Sequence, residues 1–191
     1  MENKDTVRYY VISDEQIGKI TELASRTAIQ EYEAARTEER KHWKDRRLRN
    51  TKLLLLNYRM LKESAAHSVY RYEPEERDET AGDILEQMMT GTDSDIVVDS
   101  IRRSAKRTAI MVTHIETMME IYRKKCLESD DDVRKRRYHV LYDQYIAEKP
   151  NSVKHLAKTF HVTTDTIYND LKIGRFELST LIFGVDGIRL A

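Results

Sequence analysis

Apolar residues recur along this chain at steps of three and four, and no stretch alternates apolar and polar over the length of a strand. The expected fold is therefore all-α: long N-terminal helices followed by a C-terminal helix-turn-helix bundle. Val7, Tyr9, Tyr10, Val11 and Ile12 suggest a short extended arm or a packing tail. Ser13 is a good N-cap, with Asp14 and Glu15 in the first turn. Ile17, Ile20, Ala24 and Ala28 then make a thin stripe, and the middle, 31–52, is almost wholly polar. Leu54, Tyr58, Leu61, Ala65, Val69 and Tyr72 form a fuller stripe, so the pattern predicts two helices or one helix bent near 46–51. Pro74 ends it. A short helix over 81–90 (Ile84, Leu85, Met88, Met89), closed by Gly91, precedes a long one. On that long helix Ile101, Ala105, Thr108, Met111 or Val112, Ile115, Met118 or Met119, and Tyr122 share a face, its methionines reading as pliable core. Ser129 and Asp130–Asp132 stop it and start a helix to about Glu148, packed by Tyr138, Leu141, Tyr142, Tyr145 and Ile146 and stopped by Pro150.

The stretch 152–172 organises the rest. Asn151 or Ser152 caps a first short helix with Val153, Leu156, Ala157 and Phe160 at helical spacing. His161 occupies the corner, Val162 returns to the core, and Thr163 or Thr164 caps a second helix through Lys172. The corner calls for positive φ, which favours glycine and which histidine tolerates better than most side chains. Small Ala157 lets the two helices approach. Ile167 and Leu171 give the second helix a buried stripe, while Thr164, Asp165, Thr166, Tyr168, Asn169 and Lys172 make its other faces too polar for packing alone. This is the layout of a DNA-binding helix-turn-helix, and an ordinary helical hairpin is its bland alternative. Asn169 can offer adenine a donor–acceptor pair, and Lys172 can reach guanine or a phosphate. Thr163 sits at the helix entrance and Thr166 ranks below these, near the turn. Arg134, Lys135, Arg136 and Arg137, on the preceding helix, are expected to clamp the DNA backbone. After Gly174, taken as a turn, 177–183 reads as a closing helix that lays Phe176, Leu181, Ile182 and Phe183 on the core.

Val162–Leu171 resembles the recognition segment of sigma-70 region 4 and related helix-turn-helix regulators. Leu178–Gly187, together with Arg107–Met111 and His114–Ile115, is similar to the ArpU/RinA-like late-gene transcription regulators of phages of low-GC Gram-positive bacteria. The likeness covers about the C-terminal half. It implies a phage or prophage late-gene activator with sigma-like character, double-stranded DNA as partner, and contact with bacterial RNA polymerase.

Composition refines this picture. Charged residues are 35% of 191, and the net charge is zero, but the charges are segregated. Residues 73–100 hold one basic against ten acidic side chains, whereas 101–126 hold seven against two. The expected domains are 1–72, a long helical segment for dimerisation or polymerase contact; 73–100, an acidic connector with a short helix; and 101–191, the helical DNA-binding domain. The window Lys41–Lys52 is the most basic, and reads as a phosphate grip near Trp43, a solvated face, or a partner helix. A single cysteine, Cys126, excludes an internal disulfide and fits a reducing compartment. No apolar run reaches the ~20 residues of a membrane span, so a cytoplasmic location is expected, and the resemblance implies a bacterial host cell. The six histidines lack metal-ligand spacing, and neither a phosphate-binding glycine loop nor a nucleophile in a recognisable setting is present. No enzyme, cofactor or metal is expected. The leading expectation is a sequence-specific transcription regulator, a homo-oligomer being among its expected states. The rival is a helical assembly factor of the small-terminase kind, which pairs a helix-turn-helix with oligomerising helices.

Overall fold

The computed structural model describes residues 13–67, 79–91 and 93–184. They hold seven helices and no strand: α1 Asp14–His67, α2 Ala81–Thr90, α3 Ser94–Arg103, α4 Ala105–Leu127, α5 Asp132–Tyr145, α6 Val153–Thr159 and α7 Thr164–Ile182. The chain is all-α, as the 3.6-residue period requires. The N-terminal arm, Val69, Tyr72, Pro74 and the tail after Gly184 lie outside the described residues. Of the two forms open for the N-terminal pattern, one continuous helix is observed.

By internal packing the chain divides into 1–42 and 43–191. In the first unit a reciprocal capping box opens α1. Ser13 N donates to Gln16 Oε1 at 3.0 Å, and Gln16 N to Ser13 Oγ at 3.2 Å. Lys19–Glu15 at 2.7 Å and Arg26–Glu22 at 3.4 Å add i,i+4 pairs, each worth only a few tenths of a kcal/mol when exposed. Ile17, Ile20, Leu23, Ile29 and Tyr32 are all at least half exposed.

The second unit carries the core. Leu54, Leu55, Tyr58 and Leu61 of α1 join Ile84 and Met88 of α2, Ile101 of α3, and Met111, Ile115 and Tyr122 of α4. Val140, Leu141, Leu156, Ile167, Leu178 and Ile182 continue it through α5, α6 and α7. Each such side chain contributes about 1.5–3 kcal/mol by leaving water. The last carbonyls of a helix lack partners within it, and here three helix ends borrow donors from elsewhere. Asn50 Nδ2 donates to Met88 O at 2.8 Å, beside an Arg46 bond to Met89 O, at the end of α2. Arg59 donates to Ala147 O at 2.7 Å and Gln144 O at 2.8 Å at the end of α5. His114 Nε2 meets Ile182 O at 2.9 Å at the end of α7. The arginines at the ends of α2 and α5 also complement the negative end of the helix dipole.

Four local expectations change. The long helix over 94–127 is broken at Ser104, whose backbone turns extended (φ −113, ψ 113) and whose hydroxyl accepts from Arg107 N, ending α3 and capping α4 at once. Gly174 makes no turn: α7 runs through it to Ile182. A Cβ at Gly174 would lie 3.3 Å from Arg137 Cγ, 3.4 Å from Leu141 Cδ1 and 3.5 Å from the Tyr122 hydroxyl, so its small size lets α7 close on α4 and α5. Phe176, expected in the core, is 42% exposed because the uninterrupted helix carries it to the outer face. Tyr142 is 38% exposed, at the rim of an aromatic cluster with Tyr138, their centroids 5.9 Å apart.

Candidate nucleic-acid interface

Ser152 and Thr163 open the two helices of the motif. Ser152 Oγ accepts from His155 N at 3.2 Å, and Thr163 Oγ1 from Thr166 N at 3.2 Å. Such caps are worth about 1 kcal/mol each. Between them His161 adopts φ 53, the one positive φ of a non-glycine residue among those described. Val162 N donates to Ala157 O at 3.0 Å and closes the turn. Ala157, 7% exposed, supplies the close approach of α6 to α7.

On α7, Ile167 and Leu171 are buried at 0% and 5%. Thr163, Thr164, Asp165, Tyr168, Asn169 and Lys172 are exposed, Tyr168 to 59%, and Thr166 is half-buried. Thr166 Oγ1 lies 2.9 Å from Thr163 Oγ1, within the cap. At 100° per residue Asp165, Tyr168, Asn169, Lys172 and Phe176 fall on one outward face. That face combines carboxylate, phenol, amide and ammonium groups, with no apolar side chain until Phe176.

The basic run of α5 behaves differently from expectation. Arg136 Nε donates to Asp170 Oδ2 at 2.7 Å, and the Asp170 side chain is 2% exposed. Arg137 Nη1 donates to Glu177 Oε1 at 3.0 Å, and its Nε lies 3.9 Å from Asp170 Oδ1. Tyr122 Oη donates to the other Glu177 oxygen at 2.7 Å. Burial and this acceptor push the Tyr122 phenol far above its ordinary pKa, so it stays a donor. Arg136 and Arg137 therefore tie α5 to the inner face of α7, and Tyr122 ties α4 to it, so both arginines expected at phosphates are engaged by carboxylates of α7. Lys135 lies 3.7 Å from Asp132 in an exposed pair, and Arg134 is half-buried. Two acids on the inner face of α7 attract two arginines that the linear sequence presents as a free basic cluster.

The cations that do face outward come from elsewhere. A shallow concavity where α6 meets the start of α7 is lined by Lys154, Ala157, Lys158, His161, Val162 and Thr164. Lys154, His155, Lys158 and His161 are exposed. Lys154 and Lys158, four residues apart on one helix face, were legible in the sequence as a pair at the motif's flank, but the denser α5 run masked them.

The arginines of the basic window of α1 are committed to packing, whereas Lys41, Lys44 and Lys52 are exposed. Arg46 and Asn50 close α2, and Arg49 donates to Ser94 Oγ at 3.2 Å. Arg47 Nε and Nη1, Asn50 Oδ1 and Thr51 Oγ1 are buried without hydrogen-bond partners. Trp43 is 36% exposed. Among the described residues no cluster of three or more His, Cys, Asp or Glu side chains could hold a metal ion, and no helix is long and apolar enough to cross a membrane. Comparison with protein-family models, curated proteins and solved structures finds no match for the chain.

Proposed function

We propose that this protein is a sequence-specific DNA-binding transcription regulator, non-enzymatic, that reads the major groove with α7. The observation that carries the reading is the conjunction at α6–α7. A φ 53 corner and two side-chain caps support a tight helix pair whose second member buries Ile167 and Leu171 and exposes Tyr168, Asn169 and Lys172. Lys154, Lys158 and His161 beside the start of α7 suit phosphates at the groove edge. The reading keeps the resemblance to ArpU/RinA-like late-gene activators as its biological setting. RNA polymerase and a second copy of the chain are then the natural protein partners.

The test is sequencing of the fragments that the purified protein enriches from the genome encoding it, followed by binding to a recovered duplex and a scrambled one. A shared sequence upstream of transcription units supports the reading. Enrichment with no shared sequence, together with ring-shaped oligomers, replaces it by the assembly-factor reading. On the recovered duplex Asn169→Ala should cost about 1–3 kcal/mol and relax preference at one base pair. Unchanged discrimination would remove Asn169 from the reading face.

A further inference from the structure

The outward face of α7 does not end in solvent. It runs through Asp165, Tyr168, Asn169 and Lys172 to Phe176, and over the Phe176 ring sits the Lys44 ammonium of α1, 5.0 Å from the centroid. Phe176 lies seven residues beyond Asn169, about 10 Å along the helix axis. The major groove is about 12 Å wide. Lys44 thus stands at the far end of the reading face, while Lys154, Lys158 and His161 stand at its near end.

Lys44 differs from the arginines of the basic window. Arg46 and Arg49 are hydrogen-bonded to Met89 O and Ser94 Oγ, and two nitrogens of Arg47 are buried. Lys44 is exposed, and the contact it makes among the described residues is with an aromatic ring. A ring face attracts the cation and steadies the flexible stem, yet it takes none of the three N–H donors. On the α7 side the adjoining cation, Arg175, is turned to Tyr145 Oη at 3.2 Å, and the acid of this face, Asp165, lies at the opposite end. Asp45, the next residue of α1, projects about 100° away round the helix.

We infer that Lys44, seated on Phe176, is a phosphate contact on the nucleic-acid backbone. The interface then extends from the helix-turn-helix onto α1, and the duplex is gripped at both ends of the reading face of α7. The inference rests on the DNA reading above and adds a contact from an element outside the motif.

The experiment measures binding of the full-length chain to the recovered and scrambled duplexes between 50 and 200 mM salt, for wild type, Lys44→Gln, Lys44→Arg and Asn169→Ala. Matched circular-dichroism melts check folding. Each neutralised phosphate adds about 0.9 to the slope of log K against log salt. Lys44→Gln should flatten the slope by about that amount on both duplexes. Its loss of affinity across the salt range should then be about three- to fourfold smaller than that of wild type. Lys44→Arg should keep the wild-type slope. An unchanged slope for Lys44→Gln, with Asn169→Ala still impairing discrimination, overturns the inference and leaves the DNA reading standing. Weakening of the recovered duplex alone, at constant slope, overturns the phosphate assignment in favour of a base contact. Wild-type protein that binds neither duplex removes both.

Discussion

Asp170 decides whether the basic cluster of α5 serves the fold or the ligand, and Asp170→Ala is the perturbation that asks. The carboxylate side chain is 2% exposed, with Arg136 Nε at 2.7 Å and Arg137 Nε at 3.9 Å. Removing it strands cations whose side chains are 19% and 12% exposed. Breaking a buried pair from one side costs about 3–5 kcal/mol, chiefly from the charge left without a partner. The lower end applies here, because Arg136 keeps some contact with water and Arg137 keeps Glu177 at 3.0 Å. The expected loss is about 3 kcal/mol, or about 6–12 °C in Tm for a cooperative unit of this size. Urea unfolding followed by helical circular dichroism measures it, with Arg136→Met/Asp170→Leu as the companion. That apolar pair should cost much less than Asp170→Ala, since it leaves no orphaned charge. A loss under about 1 kcal/mol for Asp170→Ala would mean a pair screened by water. Arg136 would then be available to a phosphate, and the positioning role argued above would be refuted.

Two further outcomes test the packing and the electrostatics. Gly174→Val should destabilise the protein by about 1–3 kcal/mol through overpacking against Arg137 Cγ, Leu141 Cδ1 and the Tyr122 hydroxyl; a neutral result in a urea titration would show that α7 has room to shift. The Tyr58 phenol is pushed up to about 12, first by burial and then by its hydrogen bond to Glu116, while Lys62, bonded to the same carboxylate, is raised as well. A folded-state pKa above the unfolded one gives stability that is complete below about pH 10 and lost as pH rises through about 12. Urea midpoints from pH 9 to 12 should therefore fall in wild type and fall less in Tyr58→Phe; parallel declines would deny Tyr58 its part.

The sequence by itself determined the helical class and the position of the motif. Periodic apolar residues and short-range capping act within a few residues of one another, so the Ser13 cap and the stripe of Ile167 and Leu171 could be read directly, and the other two caps were narrowed to Asn151 or Ser152 and Thr163 or Thr164, of which the structure uses Ser152 and Thr163. The His161 corner was legible for the same reason: a tight turn must place someone at positive φ. Gly174 was misread because it has two local meanings. Gly174 can break a helix or admit a neighbour, and the closeness of Tyr122, Arg137 and Leu141 selects the second. Only the tertiary structure decided which cations face solvent. Arg136 and Arg137 meet Asp170 and Glu177, 34 and 40 residues away, and Arg46 and Asn50 meet the end of α2. Charge is written into the chain one residue at a time, but its availability depends on partners that folding alone brings near. Lys44 is likewise set over the Phe176 ring, from 132 residues away in the chain, by folding alone.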